Sequence, residues 1–225
     1  MTKKDAILKS VLKLVNRAGF YHLNMKDIAK EANVAAGTIY LHFKGKEELI
    51  NALYQMVVSD FNKNVIHGYN SDLPLRDNFY RMLENAINFF LEDTDRFSFI
   101  EQYTYSPFIF KESYEENYVI LHPIYQMMAE AKKLKLIKNL NEAILVSLVY
   151  GPVTMMLKLH LAHKAELDNI LTKQKLIEAC WNNIALHTNL PTSVKKTQTI
   201  TNGKTKPPKS SINKSPIHKI TNSLI

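Results

Sequence analysis

The 225-residue chain has one cysteine, Cys180, and only six glycines. A single thiol excludes an internal disulfide framework. The glycines form no phosphate-cradling loop, and no Gly-x-Ser-x-Gly segment supplies a nucleophile elbow. Cys180 and His187 stand seven residues apart, two turns of a helix and too far for a nucleophile–base hydrogen bond. His160, His163 and Glu166 follow at i+3 spacing and could share a helix face. No further ligand accompanies them, so a solvated helix end is preferred to a metal site. These absences predict no catalytic residue, no metal, no cofactor and no enzyme. One apolar run, Ala143 to Leu161, approaches the ~20 residues of a membrane span. Gly151-Pro152, Lys158 and His160 interrupt it, and neither a second span nor a signal peptide accompanies it. The expectation is a helix buried in protein, no membrane partner and a cytoplasmic location.

Charge is unevenly spread. Residues 1–48 hold nine Lys and Arg against five Asp and Glu, or +4, while residues 49–187 hold thirteen against sixteen, or −3. The last 38 residues hold seven lysines and no acid. A basic head suits phosphate contacts whose strength falls with salt; an acidic body should stay off DNA. The tail, residues 190–225, is rich in Thr, Ser, Asn, Pro and Lys. It cannot bury enough surface to offset its ordering entropy, so a disordered basic extension is expected. A solubilising role ranks first for it and non-specific DNA attraction second.

The head has a helical pattern. Ile7, Val11, Leu14, Val15 and Ala18 form an apolar stripe that stops at Gly19. Asn24 can cap a short second helix, with Asp27 as the acidic partner of a capping box. Met25, Ile28, Ala29 and Ala32 repeat at helical spacing on its inner face. Asn33 falls where the chain must reverse, and asparagine tolerates a left-handed backbone. From about Ala36 a second short helix buries Ile39 and Phe43 and points Thr38, Tyr40, Leu41 and His42 elsewhere. Lys44-Gly-Lys-Glu-Glu48 opens a fourth helix, with carboxylates in the turn the helix dipole favours. Two short helices joined by a tight turn, over about 24–43, are how a protein lays one helix in the major groove.

Beyond the head the chain reads as all-α. Helices are expected over 46–66, 74–91, 94–105 and 112–138, the last kinked at Pro123. Asn139-x-x-Glu142 resembles a capping box for an apolar helix reaching His163. A final helix should run over 172–187, with Leu176, Cys180 and Ile184 on one stripe. Aromatic residues crowd the segment from Phe89 to Tyr118, joined by Met127, Met128, Met155 and Met156. Such side chains line hydrophobic pockets, yet for any single one a core position is the better reading. The candidate lining is Phe90, Phe97, Glu101, Tyr103, Tyr105, Tyr118, Met127 and Met155. An apolar or a cationic aromatic ligand would suit it.

Four segments together are more specific than a bare helix-turn-helix. Ala18-Gly-Phe20, Ile28-Ala-Lys-Glu-Ala-Asn-Val34, Gly37-Thr-Ile-Tyr-Leu-His-Phe43 and Lys46-Glu-Glu-Leu49 resemble the amino-terminal domain of TetR-type transcriptional regulators. The resemblance spans roughly the first fifty residues without a gap. It implies a three-helix DNA-binding bundle over 1–48, a ligand-binding and dimerisation domain over 49–189, and a homodimer through helices 141–163 and 172–187. By position, Thr38, Tyr40 and His42 resemble residues that contact phosphates or base edges, and Lys46 resembles a phosphate-clamping lysine. Asn24, Met25 and Lys26 resemble a second backbone contact. Ala35, Ala36, Gly37 and Leu41 complete the candidate DNA-binding set. Ala35 stands where Ser or Thr is usual, removing a cap at a cost of ~1 kcal/mol. Ala36 stands where a lysine, arginine or proline is common. Both alanines suit contact with thymine methyls. The expected function is a ligand-responsive repressor of a pseudo-palindromic operator, released by a small hydrophobic effector. The alternative is an architectural or partner-recruiting DNA-binding module with a sealed body.

Overall fold

A computed structural model describes residues 2–113 and 122–186, apart from the side chains of His122 and Pro123. Among these residues the elements are helical: α1 (Lys3–Ala18), α2 (Met25–Glu31), α3 (Ala36–His42), α4 (Lys46–Val65), α5 (Leu75–Glu92), α6 (Thr94–Tyr103), α7 (His122–Lys133), α8 (Glu142–Leu161) and α9 (Ile170–Ile184). A 3-10 turn over Phe20–His22 joins α1 to α2. The tail expected to be disordered, Tyr118 and His187 lie outside the described residues.

Local chemistry sets the ends of the head helices. Thr2 and Asp5 cap α1 reciprocally: Thr2 Oγ1 accepts from the Asp5 N–H at 3.1 Å, and the Asp5 carboxylate accepts from the Thr2 N–H at 2.8 Å. The Thr2 N–H bond to the ionised form, with the Thr2 hydroxyl adding to it, holds the Asp5 carboxyl below its usual range. Asn24 Oδ1 accepts from the Asp27 N–H at 2.9 Å and caps α2. Asn33 adopts φ 51°, the left-handed turn expected between α2 and α3. Ala35 gives α3 no side-chain cap.

One hydrophobic core runs from the head into the body. Ile7, Val11, Ile28, Ile39, Phe43 and Leu49 are almost fully buried in it, and Phe99 and Tyr103 of α6 belong to the same cluster. Tyr103 Oη accepts from the Phe20 N–H at 3.1 Å, and burial pushes its pKa up. The amide of Asn51 on α4 fastens the segment after α6. Nδ2 donates to the Glu47 and Phe108 carbonyls, each at 2.8 Å, while Oδ1 accepts from the Phe110 N–H at 2.7 Å and Ser113 Oγ at 3.0 Å. Further along, α4 packs on α5, and α9 packs on both α8 and α5.

Several ends differ from the sequence expectation. Helix α7 stops at Lys133 rather than 138, because Lys135 turns through φ 56° and the chain then pairs with the end of α9. Ile137 and Ala185 form an isolated antiparallel bridge, with Lys138 N–H to Ile184 O at 2.8 Å and Leu186 N–H to Leu136 O at 3.0 Å. That pairing also ends α9 at Ile184. Its start is earlier than expected, capped by Asn169 Oδ1, which accepts from the Leu171 and Thr172 N–H groups. Asn141, not Asn139, caps α8: its Oδ1 accepts from the Ile144 N–H at 3.1 Å. Helix α8 runs through Gly151-Pro152, as the expected helix reaching about His163 requires. Proline at 152 leaves the Leu148 carbonyl without its helical donor. Asn183 Nδ2 of α9 supplies one at 3.2 Å, and Cys180 Sγ lies 3.6 Å from the next carbonyl, Val149 O. Burial also pushes the Cys180 thiol up to about 11.

Helix α8 is long and apolar enough to cross a membrane, yet most of it is not buried within the chain. Within one chain its apolar surface is therefore left outward, on a helix that the sequence reading assigns to a dimer interface. Ile144, Val146 and Met155 are exposed on α8, as are Ile170 and Leu171 at the start of α9.

Candidate nucleic-acid interface

Helix α3 is two-faced. Ile39 and Phe43, four residues apart, are 0% and 2% exposed and pin it to α1 and α2. Gly37, Tyr40 and Leu41, at i, i+3 and i+4, share another face. Tyr40 is 58% and Leu41 84% exposed, two adjacent large side chains left mostly bare among the described residues. Ala35, Ala36, Gly37 and His42 are also exposed, and Thr38 is half-buried. A Cβ built on Gly37 would meet no atom within 4 Å, so the protein's own packing does not require glycine there.

The flanking basic groups differ in freedom. Lys26 is exposed, but Met25 is half-buried against the head core. The Asn24 amide is engaged at both ends with Asp27, as cap acceptor and as donor to its carboxylate. Lys46 is held in place, its Nζ 3.4 Å from the Tyr21 carbonyl and 5.8 Å from the Phe20 ring centroid. A basic residue missed in the sequence reading, Lys4, lies with its Nζ 5.7 Å over the Phe43 ring at the end of α3. No spacing rule links α1 to α3, so only the folded head brings them together.

The body holds a cavity of about 210 Å³ between α5, α7, α8 and α9. Phe90 and Met127 of the candidate lining reach it, joined by Phe79, Met128, Tyr150 and Trp181. The other described candidates are elsewhere. Phe97 is sealed in the core under Phe90. Tyr103 faces the head, as described above. Tyr105 is 95% and Met155 58% exposed. Glu101 lies one residue back from the wall: its Oε1 accepts from Tyr150 Oη at 3.2 Å and its Oε2 pairs with Lys158 Nζ at 2.6 Å. Burial pushes Tyr150 up to about 12, with the Glu101 charge adding to it. His160 Nδ1 lies 3.3 Å from the Leu167 N–H and Ala165 O, ordering the turn after α8.

Family comparison agrees with this arrangement. The model described as bacterial regulatory proteins, tetR family, matches residues 7–53. The model described as tetracyclin repressor-like, C-terminal domain, matches residues 74–185. The chain belongs to the TetR family of transcriptional regulators. An uncharacterised HTH-type transcriptional regulator of Haemophilus influenzae is 35% identical over 103 residues, 46% of this chain and 55% of that protein. The alignment thus spans only about half of that curated relative. A solved TetR-family regulator from Haemophilus influenzae Rd is 27% identical, covers 82% of this chain and 97% of its own, and superposes with a TM-score of 0.68. A second, from Marinobacter aquaeolei VT8, reaches a TM-score of 0.77 at 21% identity over 81% and 95% of the two chains, a likeness of fold. Every candidate DNA-facing residue of this TetR-family chain lies within the first matched segment. The cavity falls in the second, apart from Val65 at the end of α4.

Proposed function

We propose that this TetR-family regulator is a homodimeric repressor that binds a pseudo-palindromic operator and leaves it when a small hydrophobic effector enters the body cavity. The observation that carries the DNA reading is the bare Gly37–Tyr40–Leu41 face on a helix whose opposite side is locked into a closed core. Tyr40 offers a hydroxyl and a ring, and Leu41 with Ala36 offers apolar contact to thymine methyls. Lys26 and Lys46 stand where they could fix register on the phosphates.

Self-association is supported by the outer face of α8 and α9. Ile144, Met155, Ile170 and Leu171 are between 48% and 71% exposed, apolar side chains that pairing of two copies would cover. Pairing that face about a two-fold axis would set two α3 helices one helical turn of DNA apart, about 34–36 Å. An effector would act by preferring a subunit arrangement with a different spacing, and only its differential affinity counts. The cavity in the body favours this reading over a ligand-free architectural module.

The test is a duplex selection from a random pool with purified full-length protein, beside a measurement of its mass in solution. The expected result is a dimer enriching a site with two inverted halves. A strict monomer with no preference over random competitor would overturn the proposal.

A further inference from the structure

The sequence leaves both apolar and cationic effectors open, and the cavity separates them. Among the described residues the lining is apolar, and Tyr150 and Trp181 are its members that carry a side-chain polar atom. Glu101, which accepts from Tyr150, is already paired, its Oε2 2.6 Å from Lys158 Nζ. An ammonium or a carboxylate entering here would lose its water and find no free counter-charge, a large desolvation cost. Tyr150 stays neutral at physiological pH, its pKa raised to about 12, so it adds no charge to the wall. Size narrows the choice further. An engineered apolar cavity of about 150 Å³ holds a benzene. By that scale, about 210 Å³ suits some eight to ten heavy atoms.

Resting on the effector reading above, we infer that the cavity selects an uncharged, largely hydrocarbon molecule of about eight to ten heavy atoms and rejects both cationic and anionic molecules of the same shape. Flexible walls at Met127 and Met128 allow different carbon skeletons within that size.

The chain carries its own reporter, because its only tryptophan is Trp181. Full-length protein titrated with 1-octanol, octanoate and octylammonium, all spectrally silent, reads binding through Trp181 emission. The expected outcome is saturable binding of 1-octanol, at least tenfold tighter than either ion, with Val153→Phe weakening it at least tenfold by filling the cavity. If Val153→Phe does not fold, Val149→Phe takes its place. The head-group series on the unmodified protein decides the matter in either case. Equal or tighter binding of octanoate or octylammonium overturns the charge selection while leaving the effector cavity standing. No saturable response to any of the three, with selected duplex still bound, overturns both the inference and the effector role. Octanol binding that leaves the duplex complex unchanged supports the selection and overturns only the coupling to DNA.

Discussion

Head and body solve the same packing problem to different degrees. In the head, helices meet around Ile7, Ile28, Ile39 and Phe43 with almost no exposure. In the body, helices of 18 and 20 residues, α5 and α8, meet less completely and leave a cavity walled by methionines and aromatic rings. A docking element gains from rigidity, because a misplaced helix loses base contacts. A sensing element needs space that something else can fill. On the proposed function, the dense packing falls in the part that would read DNA and the gap in the part that would respond.

The largest expected effects test that contrast directly. Ile39→Ala removes a fully buried side chain from a core with no spare room and should cost about 2–5 kcal/mol in denaturant unfolding. Met127→Ala widens a space that already exists and should cost no more than about half as much. Equal losses would mean that the cavity closes in solution. Next in size, Tyr40→Ala should weaken binding of the selected duplex by about 1–3 kcal/mol without changing the unfolding midpoint. Lys46→Ala should instead flatten the salt dependence, by a slope of about 0.9 for one phosphate. An unaltered slope would remove Lys46 from the phosphate contacts.

The head was legible because its determinants are local. Asn24 as cap, Asn33 at the reversal, and Ile39 and Phe43 as a four-residue pair all act within a few positions, and each stands in the structure where the sequence put it. The body was legible only as a set of helices. Lys135 and Ile137 could not be read as a helix end, since the bridge to Ala185 joins residues far apart in sequence. The pocket candidates scattered for the same reason. Tyr103, Tyr105 and Glu101 lie close in sequence, yet one faces the head, one faces solvent and one sits behind the cavity wall. A helix tells which residues share a face, but not which neighbour that face will meet.

Pro152 shows how a long-range contact rescues a locally disfavoured choice. Its ring leaves the Leu148 carbonyl free, and Asn183 of α9 donates to it at 3.2 Å. Asn183→Leu should therefore destabilise the fold by about 1–3 kcal/mol, the cost of leaving a screened carbonyl without a donor. In a Pro152→Ala background the helix recovers its own N–H, and the same substitution should cost clearly less. A double-mutant cycle by chemical denaturation measures the difference. Strict additivity would show that Asn183 matters for packing rather than for that carbonyl.

The smallest effect is the most selective, because stability and binding should move in opposite directions. Gly37 lies within the seven-residue helix α3, where glycine is worse than alanine by roughly 0.5–1 kcal/mol. Its built Cβ touches nothing in the protein, so the fold offers no reason to keep it. Gly37→Ala should raise the unfolding free energy by a few tenths of a kcal/mol to about 1 kcal/mol. If DNA approaches the backbone there, as glycine allows at a close contact, the same methyl should weaken duplex binding. Stabilisation with undiminished affinity would move the contact surface away from residue 37, leaving Tyr40 and Leu41 to carry it.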